Sequence, residues 1–336
     1  MEGNQSRETA EDRTATRLTE LAADYSRRPR RRNLLLPLAL FLATCLSTFW
    51  TGSVDWMPAL QKNRFQAAAQ LFLHDWQQGD QVAAFARAGG VMVGNWRRGL
   101  YYMAAVMGIL LTHEMGHFLM AVRHRIPASL PFFIPVPILP FGTMGAVIGM
   151  QGSRANRREM FDLGIAGPLA GLAVAVPVTW IGIQQLGHGP QPTSGILFYN
   201  PLIFKLLIGL LRPDLPNDSA LYMSQFNPFL MAGWVGMLVT GLNMLPVSQL
   251  DGGHVTYTLL GRRAHILART LVVAAILAIL VWEAYMWVLM LVLVILLGVD
   301  HPPTADDRVK LGFTRRLIGY ASLAIPILCF PPMRMS

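Results

Sequence analysis

The chain has 336 residues, of which 53% are hydrophobic and only 14% are charged, and its mean hydropathy is +0.40. Soluble globular domains carry about 25% charged residues, so the composition excludes an ordinary soluble protein and indicates a protein that crosses a membrane several times. In a soluble protein, the net charge of +9 would suggest a nucleic-acid partner. Here much of the basic charge flanks apolar runs, so we attribute it to membrane topology and expect no nucleic acid as a partner.

The first 33 residues are polar and mixed in charge, and they end in a basic cluster from Arg27 to Arg32. They lack the succession of charged, apolar and small-residue regions that defines a signal peptide. We interpret residues 1–33 as a basic, disordered cytosolic tail whose arginines mark the inner side of the membrane. Binding of RNA or anionic lipid by this cluster is the alternative interpretation.

The first transmembrane span is predicted at residues 34–50, and an extracytosolic loop is predicted at residues 51–98. This loop is mostly polar and has room for one amphipathic helix around residues 65–76. Cys45 and Cys329 both lie in apolar segments, so we expect neither a disulfide nor a cysteine metal site.

The second span, at about residues 99–122, contains the sequence His113-Glu114-Met115-Gly116-His117. On a helix, residues four apart share a face, so His113 and His117 can bind one zinc ion with Glu114 beside them as general base. A chance occurrence of this short pattern is the alternative. Ionisable residues inside a membrane span are costly and usually mark function, which favours the metal site.

After this span, four prolines between residues 131 and 140 make a helix improbable and indicate an extended segment at or in the membrane surface. Residues 142–150 read as a short strand or hairpin. The third span, at about residues 160–184, carries Gly164, Gly167 and Gly171, whose spacing allows a neighbouring helix to approach closely.

The remaining spans are less regular. An apolar piece at residues 196–211 suggests an interfacial or re-entrant segment, and the fourth span is predicted at about residues 228–247. Residues 267–299 are too long for one ordinary span, so we predict a hairpin of two short spans with Glu283 at its tip. A last span is predicted at about residues 317–330. We group residues 99–254 as a catalytic membrane core and residues 255–336 as C-terminal spans.

With the N-terminal tail inside, the loops predicted to be cytosolic carry more lysine and arginine than the loops on the opposite side, as expected for membrane proteins. The HExxH helix then runs from outside to inside. His113 lies ten residues before Arg123, which is about 15 Å along a helix. The predicted metal site therefore lies within the bilayer, nearer the cytosol.

A catalytic zinc usually takes three protein ligands, and Asp251 is the best candidate for the third. It lies just after the fourth span, at a depth that matches the HExxH pattern, and Pro246 and Gly252-Gly253 allow the backbone to turn. The alternative is that Asp251 caps the next helix. We assign Asp162 to a cap of the third span and His254 to a supporting position. The candidates considered were Glu159, Asp162, Asp251, His254 and Glu283.

The pairing of HExxH with Asn243-Met244-Leu245-Pro246-Val247-Ser248-Gln249-Leu250-Asp251-Gly252 resembles the site-2 protease family of intramembrane zinc metalloproteases. Further motifs resemble its ethylene-dependent-greening type from plastids and the bacterial relatives of that type. The resemblance covers roughly residues 100–316. The motifs that carry it are Ser129-Leu130-Pro131-Phe132-Phe133-Ile134-Pro135, residues 141–148, Phe161-Asp162, Ala166-Gly167-Pro168-Leu169-Ala170-Gly171 and Asp300-His301-Pro302-Pro303.

The resemblance implies an all-α polytopic helical bundle, with one Zn²⁺ between core spans and a short β-hairpin or re-entrant segment. It implies that His113, His117 and Asp251 are the zinc ligands and that Glu114 is the catalytic base. It also implies that Asn243 helps to hold the substrate, and that a strand edge pairs with the unwound substrate. The residues of that edge segment are Gly142, Thr143, Met144, Gly145, Ala146, Val147 and Ile148.

The expected function is hydrolysis of peptide bonds in or near transmembrane segments. The expected partners are a single-span membrane protein as substrate, the lipid bilayer, and a site-1-type protease that cuts first. There are two rival interpretations: a membrane ion or metal transporter, and a membrane-anchored metalloprotease that cuts non-membrane proteins. No PDZ-like insertion or CBS pair is visible. No long plastid-type extension precedes Leu34, so we expect a bacterial inner membrane and a cytosolic N-terminus.

Overall fold

The computed structural model describes residues 34–56, 62–92, 94–187, 196–215, 220–282, 288–296 and 298–331. Pro37–Ser336 form one compact unit, and Met1–Leu36 form a separate unit of which only residues 34–36 are described. Over the described residues the chain is mostly α-helical with two small two-stranded sheets. This confirms the predicted fold class, a helical membrane protein with a short β-hairpin.

The elements that follow are numbered in chain order. The helices are α1 (Leu35–Ser53), α2 (Lys62–Gln77), α3 (Gln81–Met92), α4 (Trp96–Arg123), α5 (Arg157–Gln184), α6 (Leu202–Leu211), α7 (Pro228–Asn243), α8 (Asp251–Leu260), α9 (Arg263–Trp282), α10 (Val288–Leu296), α11 (Phe313–Ser322) and α12 (Ile325–Cys329). The strands are β1 (Phe132–Pro135), β2 (Thr143–Val147), β3 (Leu197–Tyr199) and β4 (Ala220–Tyr222).

Four helices in the described part of the chain are long and apolar enough to cross a membrane: α1, α4, α5 and α9 up to Val281. The helix α7 has 16 residues, shorter than the roughly 20 that a bilayer requires, and most of its side chains are buried. It is therefore an internal helix of the bundle, shielded by the longer helices around it.

The core of the bundle is formed by α4, α5 and α7, which pack against one another, and α8 packs against α5. Small residues permit this close packing. A Cβ atom at Gly182 would lie 2.4 Å from the backbone nitrogen of Leu230, and one at Gly233 would lie 2.2 Å from Thr179 Oγ1. Without a strong hydrophobic force between helices in lipid, such close backbone approach is a main source of helix association.

The strands β1 and β2 form an antiparallel hairpin beside α4, which confirms the predicted extended segment and strand. At its tip, Tyr102 Oη donates a hydrogen bond to the Phe141 carbonyl at 2.9 Å. At its base, the backbone nitrogen of Ile126 bonds to the carbonyl of Ala121, at the last turns of the same helix. The hairpin therefore extends along α4 from its C-terminal end towards its N-terminal half.

The structure differs from the sequence prediction outside this core. Residues 51–98 contain two helices, α2 and α3, instead of one. Where the last span was predicted, over residues 317–330, the chain forms two helices, α11 and α12, with Pro326 in the first turn of α12. The second half of the predicted hairpin is α10, which has only nine residues. Its predicted tip, Glu283, lies outside the described residues.

Candidate metal centre

Two histidines on α4 face the same point in the interior of the bundle. His113 and His117 lie one helical turn apart, and only 2% and 3% of their surfaces are exposed. Their Nε2 atoms are 3.3 Å apart. The Nδ1 atom of His117 is 2.8 Å from the Leu163 carbonyl oxygen, and since only an N–H can bond to a carbonyl, Nδ1 is the donor. This tautomer leaves the Nε2 lone pair free to bind a metal ion.

Asp251 supplies an oxygen to the same point. Its Oδ2 atom lies 3.2 Å from the Nε2 atoms of both histidines. Asp251 does not cap the next helix, which was the alternative interpretation. Leu250 occupies the N-cap position, and Asp251 is the first residue of α8. The helix start holds the carboxylate in place, but the side chain points towards α4.

The three side chains fit a zinc ion by their chemistry and by their spacing. Two donors that each lie about 2.05 Å from a tetrahedral zinc are about 3.3 Å from each other. The distances of 3.2 and 3.3 Å among the two imidazoles and the carboxylate match this value. Among the described residues, His113, His117 and Asp251 form a group of three that can hold a metal ion.

Glycines on α5 make room for the histidines. A Cβ atom at Gly167 would lie 2.0 Å from His117 Nε2, and one at Gly171 would lie 3.0 Å from His113 Nδ1. From sequence we predicted only close helix packing for these glycines and missed that they lie against the two histidines. The signal was present, since their spacing places them on one face of a helix that neighbours the HExxH helix.

Gly252 and Gly253 have a different role from the predicted one. We expected them to free the backbone, but both lie in the first turn of α8. A Cβ atom at Gly252 would lie 2.0 Å from the Met244 carbonyl oxygen, and one at Gly253 would lie 2.2 Å from that of Ser248. The glycines are needed because the start of α8 packs directly on the turn that follows α7.

Two more polar side chains lie beside the candidate ligands. Glu114 is 4% exposed and follows His113 directly on α4. Asn243 is the last residue of α7, and its Nδ2 atom is 3.3 Å from His113 Nε2. Both residues therefore lie next to the candidate metal centre.

The other ligand candidates point elsewhere. Glu159 forms a capping box with Asn156 at the start of α5. The prediction that Asp162 caps this helix is wrong, because its carboxylate binds Arg315 at 2.7 and 2.9 Å and His124 at 3.1 Å. Nothing in the sequence pattern signals this pairing, because Arg315 is 153 residues away along the chain.

The predicted substrate segment divides into two kinds of residue. Gly142 and Gly145 have φ angles of +73° and +97°, and both are buried, Gly142 at the tip of the hairpin and Gly145 within β2. Thr143 is also buried, and its Oγ1 donates to the Ile134 carbonyl and accepts from the Gly145 backbone nitrogen. The exposed residues are Met144 and Val147, at 49% and 55%, while Ala146 and Ile148 are half-buried.

Comparison with known proteins identifies the family. The family model described as peptidase family M50 matches residues 101–282, which include His113, Glu114, His117, Asn243 and Asp251. The chain belongs to peptidase family M50. This match confirms the resemblance to site-2 proteases, and the predicted class of membrane metalloprotease agrees with it.

Relatives of this M50 chain include plant proteins. It is 35% identical over 163 residues to probable zinc metalloprotease EGY1, chloroplastic, of Arabidopsis thaliana, covering 47% of this chain and 29% of the relative. It is 36% identical over 163 residues to the protein of the same name from Oryza sativa subsp. japonica, covering 47% and 28%. It is 29% identical over 172 residues to probable zinc metalloprotease EGY2, chloroplastic, of Arabidopsis thaliana, covering 49% and 29%.

The chain thus matches less than a third of the length of these relatives. Their names agree with a zinc site. They are called chloroplastic, so the predicted bacterial inner membrane finds no support in the comparisons. The cytosolic position of the N-terminus stays a prediction.

We expect the substitution Asp251→Ala to lower the zinc affinity of this M50 chain by more than about 100-fold, since changes even outside the ligand shell cost 10–100-fold. The matched control is Asp162→Ala, which removes a carboxylate that binds Arg315 and does not face the two histidines. Zinc retained by each purified variant after equilibration with a chelator measures the difference. An Asp251→Ala variant with full zinc content would place the third ligand elsewhere.

Proposed function

We propose that this protein is an intramembrane zinc metalloprotease that hydrolyses peptide bonds in or near transmembrane segments of membrane proteins. The observation that carries the proposal is the convergence of His113, His117 and Asp251 within 3.3 Å of one another. The two histidines are buried and lie on α4, a helix long enough to cross a membrane, while Asp251 is the first residue of the short helix α8.

The depth of the site supports cleavage inside the bilayer. The helix α4 has 28 residues, or about 42 Å at 1.5 Å per residue, which exceeds the roughly 30 Å thickness of the hydrocarbon core. His113 lies ten residues from the C-terminal end of α4, about 15 Å along the axis. With the excess length of α4 at its N-terminal end, His113 would lie about 15 Å below the membrane surface, and His117, six residues before Arg123, about 9 Å below it.

The chemistry follows from the side chains present. His113, His117 and Asp251 would hold a zinc ion, which would supply a Lewis acid that makes water a stronger nucleophile near neutral pH. Glu114, buried beside these ligands, accepts the proton of the attacking water and returns it to the leaving amine. Asn243 has an amide N–H₂ near His113, from which it can donate a hydrogen bond to the substrate carbonyl.

A transmembrane substrate must expose its carbonyls before attack, because a helix keeps them in internal hydrogen bonds. We propose that β2 binds the unwound segment by adding it as a further strand. Within the described residues β2 pairs with β1 alone, so its second edge can accept a strand. Met144, Ala146, Val147 and Ile148 would form the contact, while Gly142, Thr143 and Gly145 would shape the hairpin.

We propose that β2 runs alongside α4 and so reaches the depth of the histidines. Phe141 lies at the level of Tyr102, and His113 comes eleven residues later on α4, about 16 Å along the axis. A strand advances about 3.3 Å per residue, so the hairpin reaches the level of His113 about five residues after Phe141. That position is Ala146, in the part of β2 that we propose to bind substrate.

Metal removal tests the proposal. The full-length protein is reconstituted in liposomes with a single-span reporter, and an unfolded soluble protein serves as the comparison substrate. We expect the reporter to be cut, cutting to stop when a chelator removes zinc, and cutting to return with added zinc. A reporter already trimmed on its extracytosolic side tests whether a first protease is needed.

Two results would contradict the proposal. Cutting that continues after zinc has been removed would exclude the zinc-dependent mechanism. Cutting of the soluble protein as fast as the reporter would instead favour a membrane-anchored protease for non-membrane substrates.

A further inference from the structure

A segment near the C-terminus joins several elements around the metal centre. It runs from Val299 to Asp307, and we call it the strap. It contains the Asp300-His301-Pro302-Pro303 motif, which the proposed chemistry does not use. His301 is only 5% exposed, which is unusual for a histidine in a segment without regular secondary structure.

The backbone of the strap bonds to two segments next to the ligands. The carbonyl of Val299 accepts a hydrogen bond from the Ser248 backbone nitrogen at 3.0 Å. Ser248 has a φ angle of +56°, a strained conformation for a residue with a side chain, and it lies three residues before Asp251. At the other end, the Ala305 nitrogen bonds to the Ala155 carbonyl at 2.9 Å, just before α5.

The side chain of His301 bonds to α8, the helix that begins with Asp251. Its Nδ1–H donates to the Pro302 carbonyl, so its Nε2 is an acceptor. His254 Nδ1 is the donor to this atom, and His254 lies three residues after Asp251. Burial lowers the pKa of His301, which agrees with the neutral form that this arrangement requires.

The strap has a second contact with α8, further from the ligands. The ring of Tyr257 stacks on that of His301 with centroids 4.5 Å apart. Its Oη donates to Asp307 Oδ2 at 2.8 Å. This hydrogen bond fixes the strap but lies six residues beyond Asp251, so it provides a control for effects of strap packing alone.

We infer that His301 is a positioning residue for the third metal ligand. It holds His254, and through it the first turn of α8, so that Asp251 stays within reach of His113 and His117. Partners behind metal ligands typically change metal affinity 10–100-fold when they are replaced. The inference rests on the proposed zinc site. It adds to that site His301, which is distant in sequence from all three candidate ligands.

Three variants of the full-length protein in detergent test the inference. In His301→Ala the acceptor for His254 is lost, and we expect zinc affinity, measured against a competing chelator, to fall about 10–100-fold. In His301→Gln an amide oxygen can take the place of Nε2, and we expect most of the affinity to return. In Tyr257→Phe the bond to Asp307 is lost while the stacked ring remains, and we expect unchanged affinity.

A spectroscopic measurement separates positioning from general destabilisation. With cobalt in place of zinc, the visible absorption reports the ligand geometry in the folded fraction. We expect an altered band in His301→Ala and wild-type bands in the other two variants, with melting temperatures recorded for all.

Wild-type zinc affinity and an unaltered cobalt band in His301→Ala would overturn the inference. Equal losses in Tyr257→Phe and His301→Ala would overturn it too, because they would show only that the strap must be packed. If the wild type itself binds no zinc, the proposed function fails, a result distinct from either of these.

Discussion

Replacing Gly167 with alanine is expected to weaken zinc binding strongly, although Gly167 is no ligand and the change adds one methyl group. The new Cβ atom would lie 2.0 Å from His117 Nε2, the nitrogen that faces the metal. To relieve this overlap, either the imidazole must turn away or α5 must move from α4, and both disrupt the ligand set. We expect zinc affinity to fall by more than about 100-fold, beyond the range for groups behind the ligands.

The control for this variant is Gly108→Ala on α4. A Cβ atom at Gly108 would meet nothing within 4 Å, and alanine favours a helix by about 1 kcal/mol over glycine. Zinc content and melting temperature are measured for both variants. Stoichiometric zinc at wild-type affinity in Gly167→Ala would contradict the glycine-lined site, whereas loss in both variants would point to general instability.

The second large effect is expected for Glu114→Gln. The substitution keeps the size of the side chain and leaves His113, His117 and Asp251 in place, so zinc should be retained. It removes the group that accepts and returns the proton, a role that contributes typically 10²–10⁴-fold to the rate. We therefore expect reporter cleavage to fall by about this factor.

The matched control is Glu159→Gln at the start of α5, where a glutamine can take over the capping-box bond to Asn156. We expect this control to cleave at the wild-type rate. Wild-type cleavage by Glu114→Gln would exclude Glu114 as the proton carrier. Loss of zinc in the same variant would instead indicate that Glu114 holds the metal.

The pairing of the two histidines could be anticipated from a local rule, since helical periodicity places His113 and His117 on one face. Asp251 lies 138 residues from His113, and it was anticipated from its matching depth and from the resemblance to site-2 proteases. The hairpin of β1 and β2 was likewise foreseeable, since prolines exclude a helix and glycines mark turns.

What could not be anticipated depends on contacts between distant parts of the chain. The pairing of Asp162 with Arg315, and of His254 with His301, requires knowledge of how α11 and the strap lie against the bundle. The division of residues 313–329 into α11 and α12 could not be predicted either, because hydropathy does not distinguish one span from two short helices. Gly167 was recognised as a packing residue, but its neighbour could not be named.

The most direct measurement for the central claim is the position of the bonds that the protein cuts. The products of the single-span reporter, formed by the zinc-loaded protein in liposomes, are identified by mass spectrometry. We expect new termini within the apolar transmembrane stretch, and none of these products with Glu114→Gln. Termini confined to the water-exposed parts of the reporter, or the same products from Glu114→Gln, would contradict proteolysis within the membrane.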